Sequence, residues 1–212
     1  MTTHAQSERR MLCDELERRG PDAPTMCAGW ATRDLAAHLL IRESRPDLAM
    51  GVLLPFLRGR LEREHRALAG GDYRQLVARV RDGAPVWHPA RLPAVDERVN
   101  LTELFVHLED VRRASPGWEP RDLGAELQSV LWRALRRIAR LIFRRSPTGV
   151  VLVAEGHGRY AARPPGKHGT VVVRGAPGEL VLFAFGRASV ARVELQGEAA
   201  DVAALRAARF GV

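Results

Sequence analysis

Cysteine and long apolar runs are scarce in this sequence, and their scarcity excludes several classes of protein. There are only two cysteines, Cys13 and Cys27, too few for a disulfide scaffold or for a structural zinc site made of thiolates alone. No apolar run is long enough to cross a bilayer, and residues 1–10 lack the apolar stretch of a secretion signal. We therefore expect a cytoplasmic protein with no membrane partner and two reduced thiols, a reactive Cys27 being the alternative.

Several catalytic and nucleotide-binding motifs are also missing. The sequence contains no G-x-S-x-G nucleophile motif, which argues against a serine hydrolase of that type. It contains neither a P-loop nor a dinucleotide-binding glycine fingerprint. Any chemistry must therefore come from other residues.

Lysine is nearly absent, and arginine supplies almost all of the positive charge. The formal net charge is +8 and the isoelectric point is about 10.9. Most of the arginines alternate with acids at helical spacing, as on a solvated helix face, but residues 133–145 form an amphipathic helix with a basic face. Phosphate or an anionic partner could bind that face. Aromatic residues make up only 6%, and no helix-turn-helix pattern is present, so nucleic acid is not the partner we expect.

Periodicity divides the chain into a helical part and a mixed part. Helical patterns separated by glycine and proline predict a helical bundle to about Ser146. Valine-rich segments then predict a small α+β module. The expected domains are 1–146 and 147–212. The predicted elements are helices over Thr3–Arg19, Thr32 to before Pro46, Pro55–Val80 with a break at Gly70-Gly71, Val99–Ala114, Asp122–Arg145, Leu180–Phe185 and Ala199–Ala208, and strands over Val150–Val153, Thr170–Arg174 and Val190–Leu195.

A pair of residues in the segment Asn100–Arg113 carries the main chemical signal. Glu103 and His107 are four residues apart, so they share one face of a helix and can reach the same cation. His38 lies between apolar residues of another helix, which orients it toward a bundle interior. Together the three would leave an open coordination position on a divalent metal. A chance spacing and a hydrogen-bonded core histidine are the alternatives.

Two strings in the sequence resemble the signatures of a known family. GW-x-x-RDLAAHL (residues 29–39) and E-x-x-VH-x-EDVRR (residues 103–113) resemble DinB-like proteins, in particular the actinobacterial branch related to mycothiol-dependent maleylpyruvate isomerase. The resemblance implies an N-terminal four-helix bundle with a His, Glu, His metal triad, here His38, Glu103 and His107. It also implies a small C-terminal α+β domain, to which residues 171–187 are similar.

Other residues acquire roles around the predicted triad. Asp34 or Asp110 could accept the second ring N–H of a ligand histidine, although Asp34 also suits a helix start with Thr32 as the N-cap. Arg42, Arg112 or Arg113 could bind the carboxylate of a cofactor or substrate, with a surface position as the alternative for each. The family resemblance implies a site role for Arg187. Trp30 could pack beneath the loop or form a wall of the site. We expect the remaining histidines at the surface: His4, His65, His88, His157 and His168.

The resemblance implies an enzyme that activates a thiol or water on its metal. The expected cofactors are a divalent metal, zinc above nickel, iron or manganese, and mycothiol or another low-molecular-weight thiol. The expected partners are that thiol and an electrophilic substrate, in a transferase or isomerase reaction. A homodimer is compatible with the sequence, which does not specify the oligomeric state. The alternative is a non-catalytic metal-binding protein with a stress-response or partner-binding role, which the basic helix 133–145 favours.

Overall fold

The structure of the chain is a computed structural model that describes residues 2–45, 55–166 and 168–208, with the backbone alone at residues 55–57. Its contacts divide the chain into two compact units, Met1–Glu119 and Pro120–Val212. Among the described residues there are eight α-helices and one four-stranded sheet. The α+β class predicted from the sequence is confirmed.

The first unit is helical. Its helices are α1 (His4–Arg19), α2 (Thr32–Ser44), α3 (Pro55–Ala69), α4 (Tyr73–Asp82) and α5 (Pro93–Arg112). The helix α1 begins at a capping box, in which Thr3 accepts from the backbone of Gln6 and the Gln6 side chain accepts from the backbone of Thr3. It ends at Gly20, whose φ of 77° few other residues adopt. The local signals therefore set the limits of this helix.

Helix α1 packs most extensively against α5, and α2 packs against α3 and α4. The apolar faces of α1, α2 and α5 form the core of this unit, with Leu12, Leu35 and Leu104 among its fully buried side chains. Burial of such side chains supplies the main favourable free energy of folding. This core holds α2 and α5, the two helices that carry the predicted ligands, in place.

In the second unit, the described residues form a sheet and three α-helices. The strands are β1 (Gly149–Ala154), β2 (Gly158–Arg163), β3 (Thr170–Gly175) and β4 (Glu194–Gln196), in the order β2-β1-β3-β4. Only the β1–β3 pair is parallel. The helices are α6 (Gly124–Ile142), α7 (Pro177–Ala184) and α8 (Ala199–Ala207).

Strand β2 was not predicted from the sequence, and β4 is shorter than the predicted strand 190–195. The segment GRYAAR of β2 lacks the β-branched residues that mark a strand, and it lies at the edge of the sheet, paired only with β1. Val190 belongs to a turn, since its N–H donates to the carbonyl of Arg187 at 3.0 Å. In both cases, pairing with a neighbouring strand decides the structure, and the local pattern does not.

The unit boundary at Glu119 lies earlier than the boundary at 146 that the sequence predicts. Helix α6 packs against α7 and β2 within the second unit. Gln128 of α6 accepts a hydrogen bond from the backbone of Gly178 at 2.9 Å, and Phe143 stacks on Phe183. An apolar stripe shows that a helix is covered, but it does not show by which neighbour.

No helix in the described ranges is long and apolar enough to cross a membrane.

Candidate metal centre

The structure brings the three predicted ligands together within the first unit. His38 lies on α2, and Glu103 and His107 lie one turn apart on α5. The Nε2 atoms of His38 and His107 are 3.5 and 3.2 Å from the same oxygen, Oε1 of Glu103. One donor atom from each residue lies within 4.8 Å of the other two. Two imidazoles and one carboxylate at this spacing suit a divalent metal of the zinc type.

The exposure of the three side chains is graded. The side chain of His107 is 7% exposed, that of Glu103 23%, and that of His38 33%. The rings of His38 and His107 meet edge to face, with their centroids 5.4 Å apart. The cluster is therefore anchored in the core at His107 and accessible to solvent on the side of His38.

The charges of the cluster follow from its burial and its hydrogen bonds. Burial lowers the pKa of His38, while the Glu103 carboxylate opposes this shift. Burial alone would raise the pKa of Glu103, but hydrogen bonds with His107 and His38 lower it well below the usual range. Burial disfavours the charged form of His107, yet its bonds to Asp110, Cys27 and Glu103 raise its pKa well above the usual value. An ionised Glu103 is thus the stable form at neutral pH.

Asp110 lies behind His107, one turn further along α5. Its Oδ2 atom is 2.9 Å from Nδ1 of His107, and the carboxylate is fully buried. This contact places a proton on Nδ1 and directs the other ring nitrogen, Nε2, toward Glu103.

The other aspartate that the sequence proposed for this role, Asp34, caps a helix. Its Oδ2 atom accepts the backbone N–H of Ala31 at 2.9 Å. The N-cap is Ala31, and Thr32, which the sequence predicts as the cap, is the first helical residue. The helix-start interpretation of Asp34 is therefore the one that the structure supports.

Cys27, which the sequence did not place at the site, belongs to the same cluster. Its Sγ atom lies 3.3 Å from Oδ2 of Asp110, the oxygen that contacts His107. Cys27, His107 and Asp110 form a second group of potential metal donors, which uses His107 as well. Cys27 and Asp110 are 83 residues apart, so no spacing rule could have paired them.

The ring of Trp30 packs against two histidines, His38 and His65. The ring of Trp30 lies 5.1 Å from that of His38 and 5.3 Å from that of His65, centroid to centroid. His65 is half-buried, and its Nε2 donates to the backbone carbonyl of Asp34 at 2.9 Å. The sequence predicts a surface position for His65, and the structure places it partly buried, where helix α3 turns it toward α2.

The structure distinguishes the arginines that the sequence proposed for the site by their partners. Arg42, one turn after His38, donates to Asn100 at 2.6 Å, and its Nε lies 3.6 Å from Oε1 of Glu103. Arg112 and Arg113 instead bind Glu109, at 2.8 and 2.6 Å. Since Arg112 follows His107 by five residues, it points about 140° away around the helix. The structure therefore brings Arg42 to the triad and directs Arg112 elsewhere.

The predicted site role of Arg187 concerns the second unit. Arg187 follows α7, and its guanidinium donates to the carbonyl of Phe185 at 2.5 Å. Its role at the site stays a prediction.

Comparison with known proteins relates the fold to one solved structure. No family profile and no curated protein matches the chain. The chain is similar to the crystal structure of the mycothiol-dependent maleylpyruvate isomerase, with a TM-score of 0.59. The match covers 91% of this chain and 90% of the isomerase at 20% sequence identity. At this identity the similarity establishes a shared fold.

Proposed function

We propose that the chain binds one divalent metal, zinc, through His38, Glu103 and His107, and uses it to activate a low-molecular-weight thiol for transfer or isomerisation. The observation that carries this proposal is the convergence of three donors from two helices, with one side accessible to solvent. The similarity to a mycothiol-dependent isomerase supports a thiol of the mycothiol type and an electrophilic substrate.

A divalent metal at this position would supply the Lewis acidity that lowers the pKa of a bound thiol or water. The residues of the chain prepare the site for it. Glu103 provides a negative charge beside both imidazoles, and Asp110 keeps His107 in the tautomer that presents Nε2.

Arg42 provides a positive charge on the exposed side of Glu103. Its guanidinium could hold an anionic group of the thiol or of the substrate through charge-assisted hydrogen bonds. Asp110 acts through His107, so we propose a positioning role for it, and we propose Arg187 as a catalytic residue. Arg112 has no support as a cofactor ligand, because its guanidinium is bound to Glu109 and to the carbonyl of Glu119.

A non-catalytic metal-binding protein with an anionic partner is the second candidate. Helix α6 and the turn after it expose six arginine side chains, and none of the six forms an ion pair with a described residue. Arg136 and Arg140 lie over the ring of Tyr160, at 5.4 and 5.9 Å. The six are Arg133, Arg136, Arg137, Arg140, Arg144 and Arg145.

Elemental analysis of the purified chain tests the metal site. We expect about one zinc per chain, and we expect its loss in His107→Ala and in His38→Ala, since each variant removes one of three ligands. His38→Ala is included because His38 is the more exposed ligand and its removal disturbs the core less. His168→Ala, which changes an exposed histidine of the second unit, is the matched control and should keep its metal. Stoichiometric zinc in His107→Ala would contradict the assignment.

Calorimetry with a low-molecular-weight thiol tests the activation step. A thiol that loses its proton on binding should release that proton to the buffer, so the measured heat should depend on the ionisation enthalpy of the buffer. If zinc-loaded protein binds no thiol and converts no electrophile, the result favours the non-catalytic candidate. Binding of a polyanion that weakens with salt and with Arg137→Glu would support that candidate directly.

A further inference from the structure

The loop between α1 and α2 contacts the helix that carries Glu103 and His107, and two of these contacts are with Asp110. The backbone N–H of Met26 donates to the backbone carbonyl of Asp110 at 3.0 Å. The neighbouring side chain, Cys27, approaches Oδ2 of the same aspartate at 3.3 Å. Backbone and side chain of this loop thus both contact the residue behind His107.

Cys27 also organises the loop itself. Its backbone N–H donates to Oγ1 of Thr25 at 3.2 Å, and its carbonyl accepts the N–H of Trp30 at 3.0 Å. The same Oγ1 of Thr25 donates to the carbonyl of Trp30 at 2.8 Å. The loop therefore contacts both histidines of the triad. Trp30 packs on His38, and Cys27 contacts His107 and the Asp110 carboxylate behind it.

We propose that Cys27 is a positioning residue of the metal site: its thiol donates to Oδ2 of Asp110 and so holds the carboxylate in place for Nδ1–H of His107. The inference rests on the proposed metal site and adds a residue to it. Asp110 is fully buried, so each lost donor leaves part of a negative charge unsatisfied. The carboxylate would then shift, and the His107 ring would lose its orientation.

A packing role and a hydrogen-bonding role for Cys27 predict opposite orders of zinc affinity among its variants. A cysteine that only fills space is replaced best by an apolar residue of similar size, such as valine, and poorly by serine. A cysteine that donates a hydrogen bond is replaced best by serine, which keeps a donor, and poorly by valine or alanine. Cys27→Ser, Cys27→Val and Cys27→Ala therefore separate the two roles.

Zinc affinity, measured by competition with a chromogenic chelator, is the first readout. We expect Cys27→Val and Cys27→Ala to weaken zinc binding about 10- to 100-fold, the range for lost outer-shell partners of metal ligands. Cys27→Ser should remain within a few-fold of the natural chain. Substitution of the other cysteine, in Cys13→Ser and Cys13→Val, provides the matched control. Cys13 is fully buried and its thiol contacts the carbonyl of Val77, so these changes should alter the melting temperature and leave zinc affinity unchanged.

The NMR signal of Nδ1–H in His107 is the second readout, with ¹⁵N-labelled histidine in the full-length chain. The signal should persist in Cys27→Ser and broaden or shift in Cys27→Val, with metal and without it. If the natural chain bound no zinc, the proposed function would fail, while this signal in metal-free protein would still test the role of Cys27. Full zinc affinity and an unchanged signal in Cys27→Val would overturn the inference, and so would two zinc ions per chain.

Discussion

Neighbouring groups give the two cysteines of this chain different chemistry. Cys27 is half-buried beside a carboxylate and a histidine, whereas Cys13 is fully buried in the helical core. Burial raises the pKa of Cys13 to about 12, although Arg81 and Arg9 nearby oppose the shift. Tyr73 behaves similarly, since burial raises its pKa to about 12 while its hydroxyl donates to the carbonyl of Leu16.

At the residue scale, we predict that stability falls as the pH rises from 9 to 10 and that Cys13 is the cause. The unfolded chain releases the Cys13 proton near pH 9, while the folded chain retains it to about 12. The folded state therefore holds the additional proton in this window, and stability is lost at up to about 1.4 kcal/mol per pH unit. Urea unfolding at pH 8, 9 and 10 should show this slope in the natural chain.

The variant Cys13→Ala should flatten the slope between pH 9 and 10. Tyr73→Phe serves as the control and should keep most of it, because the phenol begins to ionise in the unfolded chain only as the pH approaches 10. A slope of equal size in Cys13→Ala would assign the pH dependence to another group.

A buried polar network joins three helices of the first unit. Arg9 of α1 donates to Glu43 of α2 at 2.6 Å and to Asp96 of α5 at 2.9 Å. Asn100 donates to Asp96 and accepts from Arg42, whose Nε lies near Glu103. The network thus runs from α1 to the candidate metal centre. It ties together α2 and α5, which supply the ligands.

At the element scale, we predict that Arg9→Leu destabilises the protein by about 3–5 kcal/mol, because it leaves two buried carboxylates without their cation. The midpoint of urea unfolding at neutral pH measures the change. The adjacent exposed residue gives a matched control: Arg10→Leu should change stability by no more than about 0.5 kcal/mol. Equal midpoints for the two variants would show that the network contributes little to stability.

At the scale of the whole molecule, the structure and the sequence differ on where the first unit ends. Residues 113–123 contain no helix or strand, and several of them are exposed, including Pro116 and Glu119. Helix α6 follows this segment and packs within the second unit. The predicted boundary at 146 would instead leave α6 with the helical bundle.

Limited digestion with a protease of broad specificity distinguishes the two boundaries. We predict that the first cuts fall within residues 113–123, since exposed segments without secondary structure are cleaved first. Mass spectrometry should then find α6 on the C-terminal fragment. First cuts between residues 143 and 149, with α6 retained on the N-terminal fragment, would support the boundary at 146.

The amino-acid sequence alone determined those features that depend on neighbours along the chain. The spacing of Glu103 and His107 on one helix, the position of Arg42 one turn after His38, and the end of α1 at Gly20 all follow from helix geometry and local conformational preference. The change from helical to β-branched patterns near residue 147 likewise predicted the α+β class. In each case the interacting residues lie within a few positions of one another.

Only the tertiary structure decided the features that join distant segments. It placed Cys27 against Asp110, Trp30 against His38 and His65, and α6 with the second unit. It also made GRYAAR an edge strand. A periodic pattern tells which face of an element is buried, but the partner on that face depends on how all the elements pack together. That packing is cooperative and long-range, so no local pattern contains it.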